Sequence, residues 1–149
     1  MIASATTRKA WPLALEKAWV RLMRYPPAVL ARVQADLKGE GFPPLEWYDV
    51  LLELDRGGGR LKQTELGRKL LIARYNLTRL LDRLEREGLI TRDDCAEDAR
   101  CAVIGMTDAG RALRERMWPA YAEAVRKHVG DRLTAEETAA LGAILAKLG

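Results

Sequence analysis

Between Leu61 and Arg111 this 149-residue chain carries a succession of local signals that few folds can satisfy together. Gln63-Thr64-Glu65-Leu66 begins a short helix running to Leu70, and a second helix spans about Arg74 to Glu87. Gly88 stops that helix, because glycine alone adopts a left-handed cap without strain. Leu89 to Arg92 and Cys101 to Met106 then alternate as the strands of a hairpin around an acidic loop ending Asp98-Ala99-Arg100. Thr107 and Asp108 start another helix, their oxygens placed against its free amides and positive end. Two short helices, a tight break and a hairpin in this order describe a winged helix-turn-helix, mainly α with a small β-hairpin wing.

The second helix constrains function most. Leu77, Leu80, Leu81 and Leu84 fall at i, i+3, i+4 and i+7, a single apolar stripe for the core. Tyr75, Arg79, Asp82 and Arg86 point the opposite way, with Asn76, Thr78 and Arg83 on the flanks. Asp82 and Arg86 are spaced for an i, i+4 ion pair. A helix of this width fits the major groove, and its N-terminal half reaches the base edges. Tyr75, Asn76, Thr78 and Arg79 are therefore the expected readers. Asn pairs with adenine and Arg with guanine through two hydrogen bonds each. Arg74, Arg83 and Arg86 suit phosphates, which position the protein without specifying sequence.

Charge agrees with that surface. Arg60 to Arg92 contains nine basic and four acidic residues, a net +5 that exceeds the +4 of the whole chain. Positive potential is thus concentrated where a phosphate-binding face would need it.

The flanks are helical. Trp11, Leu15, Ala18, Trp19 and Leu22 follow helical spacing, so a first helix is expected from about Pro12 to Arg24. Tyr25-Pro26-Pro27 is expected to interrupt it, because proline lacks an amide donor and restrains its predecessor. A second piece from Ala28 to Lys38 ends at Gly39 and the Gly41-Phe42-Pro43-Pro44 turn. Helix resumes at Leu45, where Trp47, Tyr48, Val50, Leu51, Leu52 and Leu54 imply burial nearly all round. Leu61-Lys62 reads as a short strand. After Thr107, Leu113, Met117, Ala120, Tyr121 and Ala124 form a buried stripe, with a kink expected from Pro119 near Arg116. Thr134-Ala135-Glu136-Glu137 is a capping box for a last helix whose sticky side is Leu141, Ile144, Leu145 and Leu148.

Other classes find little support. The Gly57-Gly58-Gly59 run lacks the Gly-Lys-Ser/Thr ending of a phosphate loop. His128 has no sequence-visible Cys or Ser partner, and its spacing with Tyr121 and Val125 sets it at the edge of a packed stripe, so no enzyme is expected. Cys95, Cys101 and His128 do not supply a zinc set, and no cofactor is expected. The two cysteines flank the wing loop, where a disulfide or redox-sensing thiol is conceivable; ordinary reduced thiols are the default. No apolar run is long enough to span a bilayer and no secretory signal is visible, so a cytoplasmic protein is expected.

At these residues the chain resembles the MarR (multiple-antibiotic-resistance regulator) family of transcription regulators. The likeness rests on Leu77 to Glu85 with Gly88-Leu89-Ile90, on Glu97-Asp98-Ala99-Arg100, on Thr107 to Arg111, and on Trp47-Tyr48-Asp49-Val50-Leu51. It implies an obligate homodimer, with residues 1–43 and 108–149 as dimerisation helices and residues 44–107 as the DNA-binding lobe. It also implies a minor-groove arginine, which would be Arg100 with Asp98 as its positioning partner, and often repression relieved by a small ligand. The family analogy puts an effector pocket between the dimer helices and the DNA-reading lobe, where Trp19, Met23, Trp47, Leu51, Met117 and Tyr121 would suit a flat aromatic ligand or serve as plain core. Three departures stand out. Ala73 replaces a common capping serine, Leu71 a common glycine, and the wing carries Asp93, Asp94, Glu97 and Asp98 against one arginine. Carboxylates repel phosphates, so Arg79 is expected to contribute more than Arg100. Two alternatives stay open: a winged-helix module that binds a protein partner, and a thiol-based redox regulator working through Cys95 and Cys101.

Overall fold

The computed structural model describes residues 11–70, 73–95 and 98–149, with backbone alone at 74 and 98–100. Leu71 and Glu97 lie outside the described residues, as do the side chains of Arg74, Asp98 and Arg100. Among the described residues the elements follow in order: α1 (Leu13–Gly39), α2 (Leu45–Arg56), β1 (Arg60–Lys62), α3 (Gln63–Leu70), α4 (Arg74–Arg86), β2 (Ile90–Cys95), β3 (Asp98–Met106), α5 (Asp108–His128), a single 3₁₀ turn (Gly130–Arg132) and α6 (Ala135–Ala146).

One correction concerns α1, which runs unbroken through Pro26 and Pro27. Each proline removes the donor that the carbonyl four residues earlier would accept, leaving those of Leu22 and Met23. Both prolines are exposed, so water can serve those carbonyls and the helix survives. Pro119 likewise sits inside a continuous α5.

The core draws mainly on α2, α4 and α5, joined by residues of α1, α3, β2 and β3. Leu51, Leu54, Leu66, Leu81, Leu84, Ile104 and Met117 are completely buried. The wing sheet has the order β1-β3-β2, antiparallel throughout. Gly88 takes φ +71° and turns the chain from α4 into β2. The Thr-Asp-Ala-Gly signal beyond β3 then acquires a packing reason. The Thr107 hydroxyl donates to the Gly88 carbonyl at 2.7 Å and accepts the Gly110 amide at 3.1 Å. A Cβ on Gly110 would run into the Leu89 carbonyl. The start of α5 is thereby seated on backbone at the foot of the wing.

Polar ties fix the long helices. Asp55 on α2 receives Arg111 at 2.6 Å and Arg114 at 2.9 Å from α5. At the other end of α5, His128 is buried rather than at an edge, its Nε2 2.8 Å from Asp36 on α1. That hydrogen bond is the first reason the Asp36 carboxyl lies below its usual range, with Lys127 beside it assisting. The capping box closes on both sides, Thr134 accepting from the Glu137 amide and Glu137 from the Thr134 amide. All of α6 is exposed in the single chain, as is α1 from Leu13 to Arg21.

Candidate nucleic-acid interface

α4 is presented outward by its own sequence pattern. Leu77, Leu80, Leu81 and Leu84 are all buried, which rotates Tyr75, Asn76 and Arg79 into solvent. Tyr75 is 70% exposed, far more than an aromatic ring in a packed role. Arg79 lies one turn on, its guanidinium 5.4 Å from the centre of the Tyr75 ring. This cation–π contact holds both side chains on the same outward face without using any guanidinium donor. The five N–H groups of Arg79 remain fit for a planar two-point contact with guanine.

Thr78 is placed differently. It is half-buried, and its hydroxyl accepts from Gln63 Nε2 at 3.1 Å. This bond ties α4 to the start of α3. Gln63 is the residue that sequence reasoning missed here, since nothing local announces a contact across fifteen positions. The N-terminus of α4 has no side-chain cap, as expected from Ala73, and its first amides remain available.

The expected Asp82–Arg86 pair is replaced. Asp82 accepts from Arg92 of β2 at 2.8 Å, so the carboxylate bonds across to the wing in preference to its own helix. An exposed i, i+4 pair contributes only about 0.3–0.5 kcal/mol, whereas this partner arrives on a half-buried strand residue with a short, charge-assisted geometry. The bond joins α4 and the wing as one unit. Arg60 similarly meets Asp93 at 3.2 Å, tying β1 to β2 across the sheet and neutralising one wing carboxylate.

Beside α4 lies a cleft of about 310 Å³ bounded by Glu46, Asn76, Arg79, Leu80 and Arg83. Glu46, at the start of α2, stands 4.0 Å from Arg83. Both side chains are about half exposed, so the pair is weak and Arg83 can exchange it for a phosphate. Asp98 and Arg100 enter only through their backbone in β3.

The six residues expected around a ligand are divided. Leu51 and Met117 are sealed in the core, Trp47 and Tyr121 are half-buried against it, and Trp19 and Met23 are exposed on α1. Tyr121 belongs to an aromatic group, its ring centre 5.1 Å from Tyr48 and 6.3 Å from Trp118. Burial pushes the Tyr121 hydroxyl above its ordinary pKa, with Asp49 and Tyr48 adding to the effect. Burial likewise raises Asp49, assisted by Glu53 and Glu46.

An outward basic helix locked to a hairpin wing over a leucine core defines a winged helix-turn-helix DNA-binding protein. Residues 40–100 match the MarR family. The chain is 31% identical over 114 residues to YkoM of Bacillus subtilis, an HTH-type transcriptional regulator, spanning 76% of this chain and 72% of that one. Among solved structures it is similar to Sco3205 of Streptomyces coelicolor in complex with DNA, a MarR family transcriptional regulator, with TM-score 0.84 and 28% identity over 93% of this chain and 91% of that one. AbsC of the same organism shares the fold, with TM-score 0.83 and 21% identity over 94% and 95% of the two chains. The chain belongs to the MarR family of DNA-binding transcription regulators.

Proposed function

We propose that the protein acts as a homodimer that lays α4 of each protomer into the major groove of a pseudo-palindromic operator. Tyr75, Asn76 and Arg79 read bases there, Arg74 and Arg83 hold phosphates, and the 98–100 strand of the wing lies against the adjoining minor groove. The outward Tyr75–Arg79 pair over a fully buried leucine stripe carries this reading. Residues 44–107 form the reading lobe in this scheme, and residues 1–43 and 108–149 pair with a second copy. The pairing has its own support: Leu15, Trp19, Leu141, Ile144, Leu145 and Leu148 are all exposed in the single chain. Apolar faces of that extent are normally covered by a partner, and a two-fold DNA reader needs one.

Occupying the operator makes the protein a repressor in this proposal. The Tyr48–Trp118–Tyr121 group favours a flat aromatic effector, which releases DNA only by preferring the shape that cannot bind it. The test is binding to the DNA upstream of its own gene, read by anisotropy alongside light scattering. A dimer mass, half-sites about 10 bp apart and affinity falling steeply with salt are expected. A monomer with undiminished specific binding would overturn the dimeric reading. Affinity insensitive to salt would favour a protein partner for the basic face.

A further inference from the structure

The wing departs from a plain hairpin at its tip. Its ladder runs without a gap from Ile90↔Met106 to Asp94↔Ala102, and one further step would set Cys95 opposite Cys101. Cys95 instead pairs with Asp98, so the register shifts at Asp94/Cys95 and residues 99–101 stand in a bulge of β3. The bulge is closed by a covalent link: Cys95 and Cys101 form a disulfide, with Cα atoms 5.3 Å apart. This separation is the ordinary one for a disulfide, so the thiols are not the two independent groups expected by default. Both residues are half-buried, and β2 is an edge strand of the sheet, so small reagents can reach the pair. Arg100 directly precedes Cys101 inside the same bulge.

We propose that Cys95 and Cys101 are a reversible dithiol–disulfide modification site that sets the conformation of the wing tip, with a hydroperoxide as oxidant. The proposal rests on the DNA-reading assignment above. One cysteine thiolate attacks a peroxide oxygen, the O–O bond breaks, and the other oxygen leaves as an alcohol after taking a proton. The sulfenic acid so formed is attacked by the second thiol; the S–S bond forms and water leaves. The two sulfurs together lose two electrons and the peroxide gains them. A dithiol reductant reverses the link by exchange through a mixed disulfide.

The consequence follows from what the link holds. Bulges re-aim the residues they contain, and this one carries Arg100. In the disulfide form the bulge is fixed against β2, so little further ordering is needed when the wing meets DNA. In the dithiol form the register is free to slip, and the ordering cost falls on binding. The oxidised protein therefore binds its operator more tightly than the reduced one.

The experiment uses the full chain and a duplex that it selects from a random-sequence pool, half of the selection run oxidised and half reduced. Iodoacetamide labelling read by mass should find two thiols after dithiothreitol and none after tert-butyl hydroperoxide, without intermolecular cross-links. Anisotropy should show affinity weaker by about fivefold or more on reduction, the low end of ordinary coupling between sites. Cys95→Ser and Cys101→Ser should match the reduced wild type under both conditions. Equal affinities in the two states, or tighter binding after reduction, would overturn the switch while leaving DNA reading intact. Absence of binding in both states would defeat the DNA-reading assignment and the switch together.

Discussion

Two surfaces of this molecule face solvent in the single chain, and they differ in chemistry. On α4, Tyr75, Asn76 and Arg79 expose polar atoms above a sealed leucine stripe. On α1, on α6 and just beyond it, Leu13, Leu15, Trp19, Ile144 and Leu148 expose hydrocarbon with no stripe of their own to cover it. Water solvates the first surface well, so it can wait for a charged ligand. Leaving the second bare costs roughly 25 cal/mol for every Å² of apolar area, so covering it is favourable. Exposure alone does not name a partner; what is exposed does.

The largest expected effect comes from making the second surface resemble the first. Trp19→Glu with Ile144→Glu puts charges onto the apolar face, and sedimentation should show dissociation into monomers. Affinity for a two-half-site duplex should fall by about 10²- to 10⁴-fold, because the second half-site is no longer an intramolecular encounter. Binding to an isolated half-site should survive. An intact dimer in that variant would remove the contrast between the two faces.

Next in size is Gly110→Ala, which tests how the faces are joined. Its Cβ would meet backbone, the Leu89 carbonyl, where no side chain can swing aside. The seat of α5 on the wing must shift, at an expected cost of about 1–3 kcal/mol in denaturant unfolding. A neutral result would show that α5 is not fixed to the reading lobe at this point.

Arg79→Ala then tests the polar face alone. Loss of a two-point base contact should cost about 1–3 kcal/mol of sequence discrimination and weaken non-specific binding less. Equal losses on selected and random duplexes would demote Arg79 to a phosphate contact. Glu46→Gln should act in the opposite sense and more weakly. Removing the carboxylate near Arg83 leaves that guanidinium free for phosphate, and affinity should rise on both duplexes by less than about 1 kcal/mol.

Most elements were legible in the sequence where local rules decide them. α3 begins and ends at Gln63 and Leu70 as its pattern requires, and the Thr107 cap and Thr134 box are present because a cap needs only its own first turn. The misses share one cause, a long-range partner that outweighs a neighbour. Asp82 binds Arg92 across to β2 instead of Arg86. His128, placed by spacing at an edge, is buried because Asp36 of α1 meets it. Pro26-Pro27 failed as a break for a related reason: their exposure lets solvent replace the missing donors. The outward residues of α4 followed from leucine spacing, and the two cysteines marked a candidate link across the wing loop, whereas the register shift of the bulge has no local pattern to announce it.

The smallest prediction concerns α2, the helix packed against both α3 and α5. Asp49 on this helix is half-buried, and desolvation first, then Glu53 and Glu46, raise its pKa above 3.8. A carboxyl with a raised folded pKa binds its proton more tightly in the native state than in the unfolded chain. Its linkage to folding therefore costs nothing below pH 3.8, grows as pH rises through the folded pKa, and stays constant above it. Asp49→Asn removes that cost, so the variant should match wild type in acid and melt higher near neutrality. The gain should be under about 1 kcal/mol, because solvent screens a group this exposed. Comparing the two proteins at each pH cancels the opposite trend from Asp36 and Glu123, whose lowered pKa values withdraw stability as pH falls. A variant that melts lower at neutral pH would show that the Asp49 carboxylate has a stabilising partner that outweighs its desolvation.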